Sequence, residues 1–158
     1  MKKTSILFTL LFVSTFSFAQ SSSRLNQYPD GWHKFTIDGI FYDVEILNGA
    51  INGLGNAIWP DGSKYSGSWR NNRIAGLGTY TWPNGDRYEG SFSSGQPNGH
   101  GTMYWSDGGK YAGKWKDGLR HGKGKQWDME GNRIKGQWQN DQLVSSDEKK
   151  DNSLAKNN

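Results

Sequence analysis

The chain repeats itself with a fixed period. Four segments align without a gap, 53–75, 76–98, 99–121 and 122–144, each of 23 residues. Gly fills the first and third positions of all four: Gly53/Gly55, Gly76/Gly78, Gly99/Gly101 and Gly122/Gly124. It returns at the tenth (Gly62, Gly85, Gly108, Gly131) and at the fifteenth (Gly67, Gly90, Gly113, Gly136). Position thirteen is Tyr65, Tyr88, Tyr111 and then Ile134, and position seventeen is Trp69, Phe92, Trp115 and Trp138. A period of this length makes each unit one supersecondary element that buries its apolar face only by stacking on its neighbours. A fainter copy at 30–52 keeps Gly39 and Tyr42, but has Val44 and Ile46 where the others have Gly and a ring. It is predicted to be an N-terminal cap, since a terminal repeat lacks one neighbour. The fourth repeat also diverges, with Trp127 at position six and Asp128 at seven, and is predicted to close the other end.

Each unit carries the chemistry of a β-hairpin. In Trp59-Pro60-Asp61-Gly62 and Trp82-Pro83-Asn84-Gly85, Pro presets φ, the Asx side chain bonds its own backbone, and Gly takes φ > 0. Strands of about five residues, such as 78–82 and 87–92, flank the turn. Side chains alternate along a strand, so Gly78, Tyr80 and Trp82 share one face, as do Tyr88, Gly90 and Phe92. The glycines on that face leave slots in which a neighbouring ring lies flat on backbone. Lys64, Ser66 and Ser68, or Lys110, Ala112 and Lys114, take the opposite face. The expected fold class is all-β: tandem hairpins stacked into one elongated, twisted antiparallel sheet, roughly 40–50 Å long.

Composition agrees with a thin aromatic core. Hydrophobic residues make up 33% of 158 and mean hydropathy is −0.86, yet there are eight Trp and seven Tyr. Those rings argue against disorder and supply what burial the chain has. Residues 1–19 have the order of a secretory signal: Lys2 and Lys3, then an uncharged apolar stretch from Ile6 to Phe18, then Ser17-Phe18-Ala19. The apolar stretch is shorter than the ~20 residues of a membrane span. The expected product is exported, periplasmic or secreted. Removal of Lys2 and Lys3 lowers the formal charge from +4 to +2, which speaks against nucleic acid as a partner. Residues 20–29 are predicted to be a flexible lead-in and 145–158 a disordered polar tail.

The pattern Gly-x-Gly-x₆-Gly-x₂-Tyr-x-Gly-x-Trp, intact at 53–69 and 99–115, resembles the MORN repeat (membrane occupation and recognition nexus). That resemblance covers 53–144, or 30–144 with the degenerate copy. It implies stacked hairpins, binding to proteins or phospholipid surfaces, and a scaffold role.

Catalytic chemistry is sparse. With no Cys, thiol catalysis and zinc–thiolate sites are excluded. His33 and His100 have no partner identifiable from sequence, and His121, beside Gly122 and Gly124, is expected in a loop between hairpins. Asp61, Asp86, Asp107 and Asp117 sit where hairpins need Asx residues. No enzyme activity and no cofactor or metal are expected.

Two features are candidates for binding. One is the aromatic face, Trp59, Tyr65, Trp69, Tyr80, Trp82, Tyr88, Phe92, Trp105, Tyr111 and Trp115, most of it core but with rings left over for a groove. The other is a basic stretch, Lys110, Lys114, Lys116, Arg120, Lys123 and Lys125, whose plainer reading is a solvated strand face. The leading expectation is an exported scaffold that docks a protein or cell-envelope polymer in the groove. The alternative is peripheral attachment to anionic phospholipid or lipopolysaccharide through the basic stretch; a glycan-active enzyme ranks third. The signal reading is tested by the mature N-terminus. Intact-mass measurement of the exported protein is expected to place it at Gln20, and a cytoplasmic chain beginning at Met1 would refute export.

Overall fold

The computed structural model describes residues 24–147. The predicted signal segment 1–19, the start of the predicted lead-in and the residues from 148 onward lie outside the described residues. Eleven strands follow one another: β1 (Gly31–Ile37), β2 (Ile40–Leu47), β3 (Ala50–Ile58), β4 (Lys64–Arg70), β5 (Arg73–Thr81), β6 (Arg87–Ser93), β7 (Gln96–Tyr104), β8 (Lys110–Lys116), β9 (Leu119–Trp127), β10 (Arg133–Gln139) and β11 (Gln142–Ser146). They form a single antiparallel sheet in chain order, ten strand spacings or about 48 Å across.

The strands are longer than five residues because turns of two kinds alternate. At one edge the Pro-containing turn closes with Gly62 N donating to the Trp59 carbonyl at 2.9 Å, and the Asp61 carboxylate accepts from Ser63 N at 2.8 Å. The other edge uses two-residue turns in which both residues have positive φ, as at Asn71 (48°) and Asn72 (64°) or Asp117 (50°) and Gly118 (79°). That is the backbone signature of the type I′ turn, whose twist matches the strands it joins. These tight turns also bond the preceding repeat: Asn72 N to Ile51 O, Gly95 N to Ile74 O and Gly118 N to Pro97 O, each at 3.0 Å.

The core lies on one face of the sheet and is one ring thick. Tyr65 lies down across Gly67 of its own repeat and Gly78 of the next, and its Oη donates to the Ser68 carbonyl at 2.9 Å. A Cβ added at Gly78 would stand 2.4 Å from that Oη. Tyr88 treats Gly90 and Gly101 in the same way, and Tyr111 covers Gly113 and Gly124. Trp69, Phe92, Trp115 and Trp138 stand edge-on between these tyrosines. The chain Trp69–Tyr65–Phe92–Tyr88–Trp115–Tyr111–Trp138 is continuous, with centroids 5.0–5.4 Å apart and interplanar angles of 80–89°. Edge-to-face pairs of this kind add ~0.5–1.5 kcal/mol each beyond burial.

The ends depart from the pattern. At the N-terminal end Val44 fills the slot itself, against Gly55, and Phe35, Ile46 and Ile51 extend the core in place of the ring chain. Residues 24–29 are not a loose lead-in. Leu25 is 2% exposed, Tyr28 stacks on Phe35 at 4.8 Å, and together they cover the end of the core that a further repeat would occupy. At the other end β11 runs to Ser146, and Asp147 N bonds the Lys135 carbonyl at 2.7 Å, so the tail begins later than 145.

Two measurements check this core. Gly113→Val places methyls against the Tyr111 ring and Gly124, and is expected to cost ~1–3 kcal/mol, with Trp115→Ala costing ~3–5, in chemical or thermal unfolding. Burial pushes the phenols of Tyr42 and Tyr111 up from 10.0 to about 12, and those of Tyr65 and Tyr88 higher still. The folded state therefore holds these protons more tightly than the unfolded chain. Their contribution to stability is intact below about pH 10 and is lost as pH rises through the folded-state values. The tyrosinate absorbance of these four phenols is expected to rise together with loss of the near-ultraviolet circular dichroism signal, not ahead of it.

Candidate functional site

The ten rings of the aromatic face divide in two. Tyr65, Trp69, Tyr80, Tyr88, Phe92, Tyr111 and Trp115 are all 7% exposed or less. They are core, because flat tyrosines and edge-on rings alternate along the sheet and cover one another. Only Trp59, Trp82 and Trp105, at position seven beside the Pro-type turns, are half-buried. Tyr80 fills the space between the first two, 5.5 Å from Trp59 and 4.6 Å from Trp82, and Met103 takes the equivalent place before Trp105. The expected groove is thus reduced to a rim of three indoles along one edge.

The basic residues divide as well. Lys110, Lys114, Lys116, Lys123 and Lys125 project from the outer face of β8 and β9. Arg120 does not join them. It stands opposite Trp115 on the core face, stacks over Trp138 at 4.4 Å, and pairs with Asp141 at 3.1 Å. Its backbone N and Nε both donate to Asp141 Oδ1, which fastens the last tight turn. In its place the register brings two cations from the next strand, Arg133 and Lys135. Lys135 lies directly opposite Lys125 and reaches Asp147 at 2.9 Å; Arg133 lies opposite Trp127, whose other side faces Lys110 at 4.5 Å. Like charges placed directly opposite on a sheet are destabilising, and the Asp147 carboxylate offsets this for Lys125 and Lys135. Arg133 and Lys135 were beyond a reading of consecutive residues, since they enter only through cross-strand pairing.

The outer face changes character along its length. Leu54 and Leu77, exposed at position two, are followed in the later repeats by His100 and Lys123. The N-terminal half is therefore mixed and weakly apolar, and the C-terminal half is basic.

Several titratable groups elsewhere have structural partners. His33 bonds the Pro29 carbonyl at 2.7 Å. His121 lies within β9, not in a loop, and its Nδ1 is buried without a hydrogen-bond partner. The buried Asp86 carboxylate accepts from Ser106 N at 2.8 Å and Asn84 Nδ2 at 3.0 Å, tying one Pro-type turn to the next. The Asp128 carboxylate, held below its ordinary range by the Asn132 side chain, shapes its own turn. Among the described residues no three His, Asp or Glu side chains gather as a metal site.

No curated protein matches the chain. A family model for the MORN repeat matches residues 45–64, 65–87, 88–110 and 111–133, more than half of the sequence. Its unit starts at the tyrosine, at Tyr65, Tyr88 and Tyr111, and stops short of Ile134, where the ring is lost. Repeats of this kind are non-catalytic modules, often in binding or scaffold roles. A sheet built from these tyrosine–glycine units in strict chain order, matched across four of them, places the chain in the MORN repeat family.

Proposed function

We propose that the chain is an exported, non-catalytic binding module that attaches to an anionic lipid surface, phospholipid or lipopolysaccharide, through the outer face of β8–β10. One observation carries this reading: Lys110, Lys114, Lys116, Lys123, Lys125, Arg133 and Lys135 share one open sheet face, where Asp147 is the acid paired with them. Three adjacent strands include only two twist steps, so the patch departs less from a plane than the sheet as a whole. Each cation near an anionic membrane is worth ~1 kcal/mol, and several together give micromolar attachment before ordering costs. The aromatic groove loses its lead because seven of its ten rings are occupied in holding the sheet together.

Co-sedimentation with vesicles rich in phosphatidylglycerol, or with lipopolysaccharide, tests the reading. Binding is expected at low ionic strength and is expected to fade as the screening length falls below ~10 Å. Changing Lys110, Lys114, Lys116, Lys123 and Lys125 to Gln is expected to abolish it while leaving the melting curve in place. Equal sedimentation of both proteins would refute the assignment.

A further inference from the structure

The small net charge conceals a segregated one. Strands β3–β10 carry twelve Lys and Arg side chains and a single acid, Glu89. The other acids of this region lie in or beside the turns, Asp61, Asp107, Asp117 and Asp128 among them. Within the strands the cations follow the repeat. Position twelve is basic in every unit: Lys64, Arg87, Lys110 and Arg133. Cross-strand pairing sets them in one outer-face row, Lys64, Thr81, Arg87, Tyr104, Lys110, Trp127, Arg133. Successive cations are two strands, or ~9–10 Å, apart, and the row is about 28 Å long. Arg87 lies over Tyr104 and Lys110 over Trp127, each at 4.5 Å from the ring centroid, which holds both cations in place. The adjoining row of the same face offers hydroxyls at Ser66, Thr79 and Thr102, with Glu89 between the last two.

We propose that this row is a track for a linear acidic polysaccharide laid across β4–β10. Its carboxylate or sulfate groups meet the regularly spaced cations, and its sugar hydroxyls meet Ser66, Thr79 and Thr102. The proposal rests on the reading of the outer face as anion-binding and shares Lys110 and Arg133 with it, but it also needs Lys64 and Arg87, which lie outside the β8–β10 patch. Two arguments select the occupant. Neighbouring strands rotate by roughly 20–25°, so a row spanning six strand steps winds and cannot lie against a plane, whereas a flexible linear polymer follows it. Single-stranded nucleic acid needs open ring faces on which to stack its bases. Here Tyr104 and Trp127 each have a face covered by a cation. Glu89 pairs with Arg87, but both are well exposed, and such a pair is weak enough for a polymer anion to replace.

Titration of the full chain with heparin-derived oligosaccharides of increasing length tests the track. Affinity is expected to climb with length and level off once the oligosaccharide spans about 28 Å, the distance from Lys64 to Arg133. The double variant Lys64→Gln, Arg87→Gln is expected to bind the longest oligosaccharide about tenfold more weakly. It is expected to bind the shortest as before and to sediment unchanged with anionic vesicles. Affinity independent of length, or a double variant that binds the longest oligosaccharide as tightly as the parent, would overturn the proposal. So would a single-stranded oligonucleotide of matching length bound equally well. Loss of vesicle sedimentation in the double variant would likewise overturn it, by showing one undivided surface. Retained oligosaccharide binding with no vesicle binding by the parent would support the track and refute the lipid reading alone.

Discussion

A tyrosine lying flat on two glycines holds this molecule together. The contact joins a repeat to its successor, because one glycine belongs to each, and the phenol closes it by bonding a carbonyl three residues further on. Every other feature of the core is arranged around it. The edge-on ring at position seventeen fits because the tyrosine lies flat. The glycines at positions three and fifteen face each other across the strands because any Cβ there would collide with the ring. A single sheet with no second layer then buries most of its aromatic side, all but the rim of Trp59, Trp82 and Trp105, using the rings themselves as the covering layer.

Much of this is written in local sequence. Turn chemistry such as Trp59-Pro60-Asp61-Gly62, the period of 23 and the alternation of ring with glycine give hairpins, their order and the inner face. The second kind of turn is less visible, since Asn71-Asn72, Ser94-Gly95 and Asp117-Gly118 share a conformation but not a sequence. Strand lengths were underestimated for that reason. The groove was overestimated for another. A single layer suggests exposed rings only if the rings stand upright, and their tilt is decided by space at Gly78, Gly101 and Gly124 in the following repeat. Likewise Arg120 falls within a stretch rich in lysine, but its strand register delivers it to Trp138 and Asp141 on the opposite face.

The two faces divide the physical tasks. The inner face is uniform from repeat to repeat and provides cohesion. The outer face is released from packing and varies, from Leu54 and Leu77 to His100 and Lys123 at one position, while keeping a cation at another. Across β3–β10 the acids other than Glu89 lie in or beside the turns, where their side chains satisfy backbone N–H groups at Ser63, Gly109 and Asn132. A surface of one sign thus arises without a large net charge, because structural demand at the turns holds the opposite sign at the rims.

The strict chain order of the strands has a kinetic consequence. Each strand pairs only with its neighbours in sequence, so no contact of the sheet waits for a distant part of the chain. Loop-closure entropy, which slows most all-β proteins, is small at every step. A hairpin forms in ~1–10 μs, far faster than synthesis at ~5–20 residues per second delivers the next 23 residues. Each new unit therefore needs only the strand just before it to pair with, and sheet growth in chain order never outruns synthesis.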